Sequence, residues 1–192
     1  MPTSRVVRLV FWLWFAAAFY AGWQLVLQRL PPLAAQGILF GLTALVLSAY
    51  FRIATLRTWV DSLDPRALVL LHLTRFVGVY FLVLYQRGDL PYDFAVPGGL
   101  GDLLVATLAL ALVVAPIEEG RRHRAIFIWN IVGLVDILLV VATTIRLNLA
   151  TPWALHALTH LPLCLLPTFF VPLIIATHII LFARLTRAHY TA

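Results

Sequence analysis

The stretch WNIVGLVDILLVVATTIR, residues 129–146, decides how the rest of the chain is read. A helix needs roughly 20 apolar residues, rising about 1.5 Å each, to cross some 30 Å of hydrocarbon, and this run has that character. Asp136 stands in its middle, and the chain contains no lysine to answer it. On a helix with about 100° between neighbours, Asn130, Gly133, Asp136, Thr143 and Thr144 share one face. The remaining isoleucine, leucine and valine side chains cover the other. A span with one polar face predicts a bundle with a polar interior and a lipid-facing exterior.

Composition extends that reading to the whole chain. Of 192 residues, 62% are hydrophobic and 11% are charged, against about 25% charged in a soluble domain. Segments 9–27, 33–51, 67–85, 98–115, 125–145 and 161–185 each have the length and apolarity of a span. The fold class they predict is all-α, a single transmembrane domain of six helices over residues 1–192. The joints are Pro31-Pro32, VDSLDPR (60–66), QRGDLPYDFAVPGG (86–99), PIEEGRRHR (116–124) and NLATPWALHALTH (148–160), all rich in residues that end helices. The first segment is too long and too aromatic for a signal-peptide core, so it reads as an uncleaved span. Residues 55–63 are mildly amphipathic and suit a short interfacial helix or a loop.

All positive charge is arginine, and its distribution sets the threading. The N-terminus, second and fourth loops and C-terminus carry ten arginines. The opposite side carries three, Arg29, Arg87 and Arg146, and Arg75 falls within a helix. The bias towards arginine on one side predicts both termini in the cytoplasm of a bacterial-type inner membrane. It also makes the basic charge a matter of topology, not of nucleic-acid binding.

A charge at mid-bilayer costs about 2.5–3.5 kcal/mol on insertion scales, so each one requires a partner. Asp136 and Arg75 are each ten residues from the outer end of their helices, about 15 Å deep. Equal depth and opposite charge predict a charge-assisted hydrogen bond between them. Gly78 and Gly133 would let the two backbones approach. In PYDFAVPGGLGD (91–102) a loop leads into the fourth span, which places Asp102 about one turn below the surface. Arg146 is then the expected partner, snorkelling down to it. Gly98, Asp102, Ala106 and Ala109 form a narrow face of mostly small residues. The glycines before Asp102 also permit a re-entrant loop. The sixth span carries Pro162, Pro167 and Pro172, whose freed carbonyls could face a cavity.

Among six histidines, His72 and His178 fall at similar depth in the cytoplasmic half, where two facing imidazoles could ligate a haem b. Single histidines also serve as hydrogen-bonding glue between membrane helices, with Asn130, Thr74 and Thr177 as nearby partners. His156 and His160, four apart, are too few for a metal site. The lone Cys164 excludes an intrachain disulfide. No phosphate loop, nucleophile elbow or zinc motif is present, which argues against an enzyme. The run HLTRFVG, PYDFAVPGGLGD, WNIVGLVD and a proline-rich last helix resembles multi-pass bacterial inner-membrane proteins in general, with no one characterised family. The expected function is a small transporter or a proton or solute permeation protein with Arg75, Asp136, Asn130, Asp102 and Arg146 in its polar core and no resident cofactor. The alternatives are a haem b redox subunit and a non-catalytic accessory protein. Expected partners are the lipid bilayer, a small solute or proton, and another protein or a second copy of the chain.

Overall fold

A computed structural model describes residues 3–190, and every regular element among them is helical. Among the described residues six helices are long and apolar enough to cross a membrane: Thr3–Trp23, Ala34–Arg52, Pro65–Gln86, Tyr92–Val114, Gly120–Ala150 and Leu166–Arg187. The chain forms two compact units, one of Met1–Leu63 with Ile145–Ala176, the other of Asp64–Thr144 with Thr177–Ala192.

The first unit is built on α1 (Thr3–Trp23), α2 (Ala34–Arg52) and the short α3 (Ala54–Asp61), together with the turn-rich approach to the last span. The amphipathic segment is therefore a helix, and Tyr50 closes it back onto α2 by donating its hydroxyl to Asp61 at 2.7 Å. Phe169 is the packing centre. The rings of Phe11, Trp14 and Phe15 meet it edge-on at 5.0, 5.0 and 5.2 Å, the geometry aromatic quadrupoles favour. Residues Leu166–Phe170 wind as a π-helix. Pro172 has no N–H for the carbonyl four residues back, and Trp14 Nε1 donates to that carbonyl, Thr168 O, at 2.8 Å. This corrects the idea of open, proline-freed carbonyls: an indole from α1 occupies this one.

The second unit starts at α4 (Pro65–Leu70). Asp64 caps it by accepting from the Arg66 amide at 2.8 Å, and Pro65 takes the first helical position. The Arg66 side chain first, and its amide second, hold the exposed Asp64 carboxyl below the usual carboxylate range. From Leu71 to Val77 the chain winds as a 3₁₀-helix before α5 (Gly78–Gln86) resumes α geometry. The buried residues of this span recur every third position: Val69, His72, Arg75, Gly78, Phe81 and Leu84. In a 3₁₀ turn residues i and i+3 eclipse, whereas an α-helix would fall about 60° short each time. The tighter winding therefore keeps His72 and Arg75 in one line. A Schellman closure ends α5, with Asp89 N bonded to Leu84 O at 2.9 Å, Gly88 N to Tyr85 O at 2.9 Å, and Gly88 at φ 79°.

The next helix, α6 (Tyr92–Val114), corrects the expected start of the fourth span at residue 98. Pro91 and Asp93 begin it favourably, the acid lying at the positive end of the helix dipole. Pro97, Gly98 and Gly99 read as breakers but are helical. Packing overrides their propensity: a Cβ on Gly78 would run into Gly99 O, and one on Gly99 would stand 2.8 Å from Gly78 O. Only two glycines permit α5 and α6 to touch backbone to backbone. The fifth helix, α7 (Glu119–Ala150), is longer than the expected 125–145. Near its start the buried Arg122 donates to Leu112 O at 3.2 Å, a carbonyl in the last turn of α6, and to Ile117 O at 2.7 Å in the joint that follows. The last helix, α8 (Val171–Tyr190), brings Leu181 and Leu185 against Val69, Val105, Ala109, Ile126 and Trp129.

Candidate functional site

Arg75 is the largest fully buried side chain among the described residues. Its guanidinium is divided among three acceptors on two helices of the second unit. Nε donates to Asp102 Oδ1 on α6 at 2.6 Å, Nη1 to Gly133 O on α7 at 3.0 Å, and Nη2 to Asp136 Oδ2 on α7. The Arg75 side chain is 1% exposed, that of Asp102 6% and that of Asp136 20%. One cation thus faces two carboxylates, one sealed and one partly open.

The sequence pairs Arg75 with Asp136, and the structure joins them. It differs for Asp102, expected to meet Arg146 near the surface: its carboxylate is engaged by Arg75. The reason is the early start of α6. Ten residues separate Tyr92 from Asp102, so the acid lies about 15 Å along its helix, level with the pair it joins. Arg146 belongs to the first unit and its side chain is exposed. A further participant is Gly101, which sequence reasoning passed over. A Cβ there would run into the Asp136 carboxylate, so this glycine makes the room in which the acid sits. Its position directly beside Asp102 was the available signal.

A layer of polar side chains adjoins the triad. Asn130 Nδ2 donates to His178 O at 3.0 Å, which fixes the amide with Oδ1 towards the imidazole. His178 Nδ1, 2.7 Å from that oxygen, must therefore be the protonated nitrogen, and Nε2 carries the lone pair. His72 Nε2 is 3.2 Å from Thr177 Oγ1. Trp129 Nε1 donates to Val105 O at 3.0 Å. Two nitrogens stay without a hydrogen-bond partner although fully buried, His72 Nδ1 and His178 Nε2. Gly133 links the two layers. Its carbonyl holds Arg75, and a Cβ on it would stand 2.6 Å from His178 Cε1 and 2.9 Å from Nε2.

His72 and His178 do face each other, but ring on ring. Their centroids are 4.2 Å apart at 51°, and Trp129 packs edge-on against His72 at 4.8 Å. That is contact distance, with no slot for a macrocycle, so bis-histidine haem ligation does not fit this packing. In the first unit His160 uses both ring nitrogens locally, Nε2 towards Gln28 at 2.7 Å and Nδ1 towards His156 O at 3.2 Å. Among the described residues no three His, Cys, Asp or Glu side chains converge as metal ligands do.

Neither a curated protein nor a solved structure matches the chain. The family described as a domain of unknown function, DUF8737, matches residues 31–186, which hold every member of the polar cluster, and the chain belongs to that family.

Proposed function

We propose that this is a multi-pass protein of a bacterial-type inner membrane, both termini cytoplasmic, that carries protons or a proton-linked solute through its second unit. The arginine bias between loops supports the orientation. The observation that carries the function is the unequal charge count at Arg75: one guanidinium bound to two carboxylates. With both acids ionised the cluster holds one uncompensated negative charge, which an apolar surround penalises heavily. One proton removes that penalty.

The two acids divide the work. Asp102 is sealed and keeps a counter-charge on Arg75 at all times. Asp136 is the more open carboxylate, and it exchanges its bond to Arg75 for a proton. Arg75 then never stands unpaired while the proton site loads and empties.

The test is proton flux into vesicles of bacterial lipid holding the purified protein and a pH-sensitive dye, under an imposed pH gradient. Asp136→Asn is expected to fold and to lose the flux. Flux at the wild-type level in that variant would overturn the proposal and leave the triad a structural clamp between helices.

A further inference from the structure

We infer that the histidine pair His72–His178 is a second proton-binding site, and that the single compensating proton of the core passes between it and Asp136. The inference rests on the proton-carrying reading above and assigns a role to groups which that reading leaves idle.

Three observations converge on it. The two rings are wholly buried and in contact, and each presents a nitrogen with no hydrogen-bond partner. Buried polar atoms are nearly always satisfied, so two orphans in one enclosure are unusual. The tautomer of His178 is set by Asn130, which leaves at Nε2 a lone pair able to accept a proton. That same imidazole edge packs on Gly133, the residue whose carbonyl Arg75 holds and which lies one helical turn before Asp136. A haem or a coordinated metal needs a gap between the rings. A proton needs none.

The charge balance closes. At rest Arg75 is positive, Asp102 negative, Asp136 protonated and both imidazoles neutral. In transfer the O–H bond of Asp136 breaks, its electron pair stays on the carboxylate, and an N–H bond forms at His178 Nε2. The new imidazolium and the new carboxylate offset one another, so the core is neutral in both states. The charged and titratable groups around the pair come from every wall of the enclosure. They are Arg75 on its own span, Asp102 on α6, Asp136 on α7, and each ring to the other. Only Arg75 opposes the imidazolium, so the site loads only when Asp136 gives up its proton and supplies the answering charge.

Solid-state NMR of full-length protein in bilayers, with ¹⁵N-labelled histidine assigned through His72→Gln and His178→Gln, reads the two sites directly. Expected at neutral pH is a neutral His178 with its proton on Nδ1. As pH is lowered and the core takes up its one proton, part of it should appear as an imidazolium signal at the pair. In Asp136→Asn that signal should fall about tenfold at the same pH, because the answering charge is gone. An imidazole pair that stays neutral throughout, or one that titrates identically in Asp136→Asn, would overturn the inference. Should Asp136→Asn not fold, His178→Gln in the flux assay decides. Glutamine can still bond Asn130, and a loss of about tenfold or more is expected, whereas undiminished flux would overturn the inference. Carboxylate-linked titration without flux would sink the transport reading alone. Flux that survives His178→Gln would sink this inference alone.

Discussion

The two units solve one problem, a helix with polar groups in apolar surroundings, by opposite means. In the first unit the misfit is a carbonyl behind Pro172, and a neutral indole from α1 covers it. Aromatic edges then fill the space around Phe169. In the second unit the misfits are ionised side chains, and they are made to cover each other, with two histidine nitrogens left over. A neutral acceptor satisfied by a neutral donor is complete and static. A cation between two acids has alternatives, because a proton or a rearranged bond changes which partner it keeps. Chemistry belongs where alternatives exist, so the contrast assigns anchoring to the first unit and exchange to the second.

The largest break in that contrast is removal of the cation that the two acids share. Arg75→Met should leave two carboxylates facing each other without compensation, costing about 3–5 kcal/mol by analogy with severed buried ion pairs. Thermal unfolding in detergent micelles measures it. Adding Asp102→Asn and Asp136→Asn to the same protein should recover most of the loss, since the fault lies in the stranded charges and not in the missing side-chain volume. Recovery by neither acid substitution would mean that Arg75 acts through packing, and the electrostatic account of this unit would fail.

A smaller and sharper test compares one close-packed glycine of the second unit with open glycines of the first. Gly101 makes room for Asp136, whereas a Cβ on Gly37 or Gly41 of α2 would meet nothing within 4 Å. Gly101→Ala should therefore destabilise by about 1–3 kcal/mol through overpacking, and should lower proton flux by displacing the acid. Gly37→Ala should be neutral or stabilise by up to about 1 kcal/mol, because alanine costs less order to hold in a helix. Equal responses at the two positions would show that the close packing at Gly101 has no consequence.

How much of this was legible follows from which signals are local. Span number rests on apolarity summed over some twenty residues, so no single substitution can mislead it. Depth matching of Arg75 with Asp136 needed only counting from helix ends. The same counting failed for Asp102, because its helix end was misplaced: Pro97, Gly98 and Gly99 carry breaker signals that are true of isolated chains. Their helicity is decided by Gly78 across the interface, a contact that no stretch of α6 announces. The 3₁₀ winding of Leu71–Val77 was hidden similarly. A buried period of three needs His72 and Arg75 to serve the same line of neighbours, and the neighbours lie on α6, α7 and α8. The facing of His72 and His178 was readable from depth, but whether a gap or a contact lay between their rings depends on side-chain packing around Trp129.

The finest test falls on the neutral half of the comparison. Trp14→Phe keeps an aromatic ring against Phe169 but withdraws the donor from Thr168 O, and should cost about 1 kcal/mol. Taken alone that value could equally reflect a slightly smaller ring. Pro172→Ala separates the two causes, because an alanine at that position brings back an amide that can donate to the carbonyl four residues earlier. If the indole hydrogen bond is what matters, Pro172→Ala should reduce the cost of Trp14→Phe, and the pair should couple by several tenths of a kcal/mol or more in a double-mutant cycle. If ring size is what matters, the two substitutions should add. Coupling here would show that the packing around Phe169 is closed by a neutral bond its own proline made necessary, where the second unit is closed by charges that a proton can rearrange.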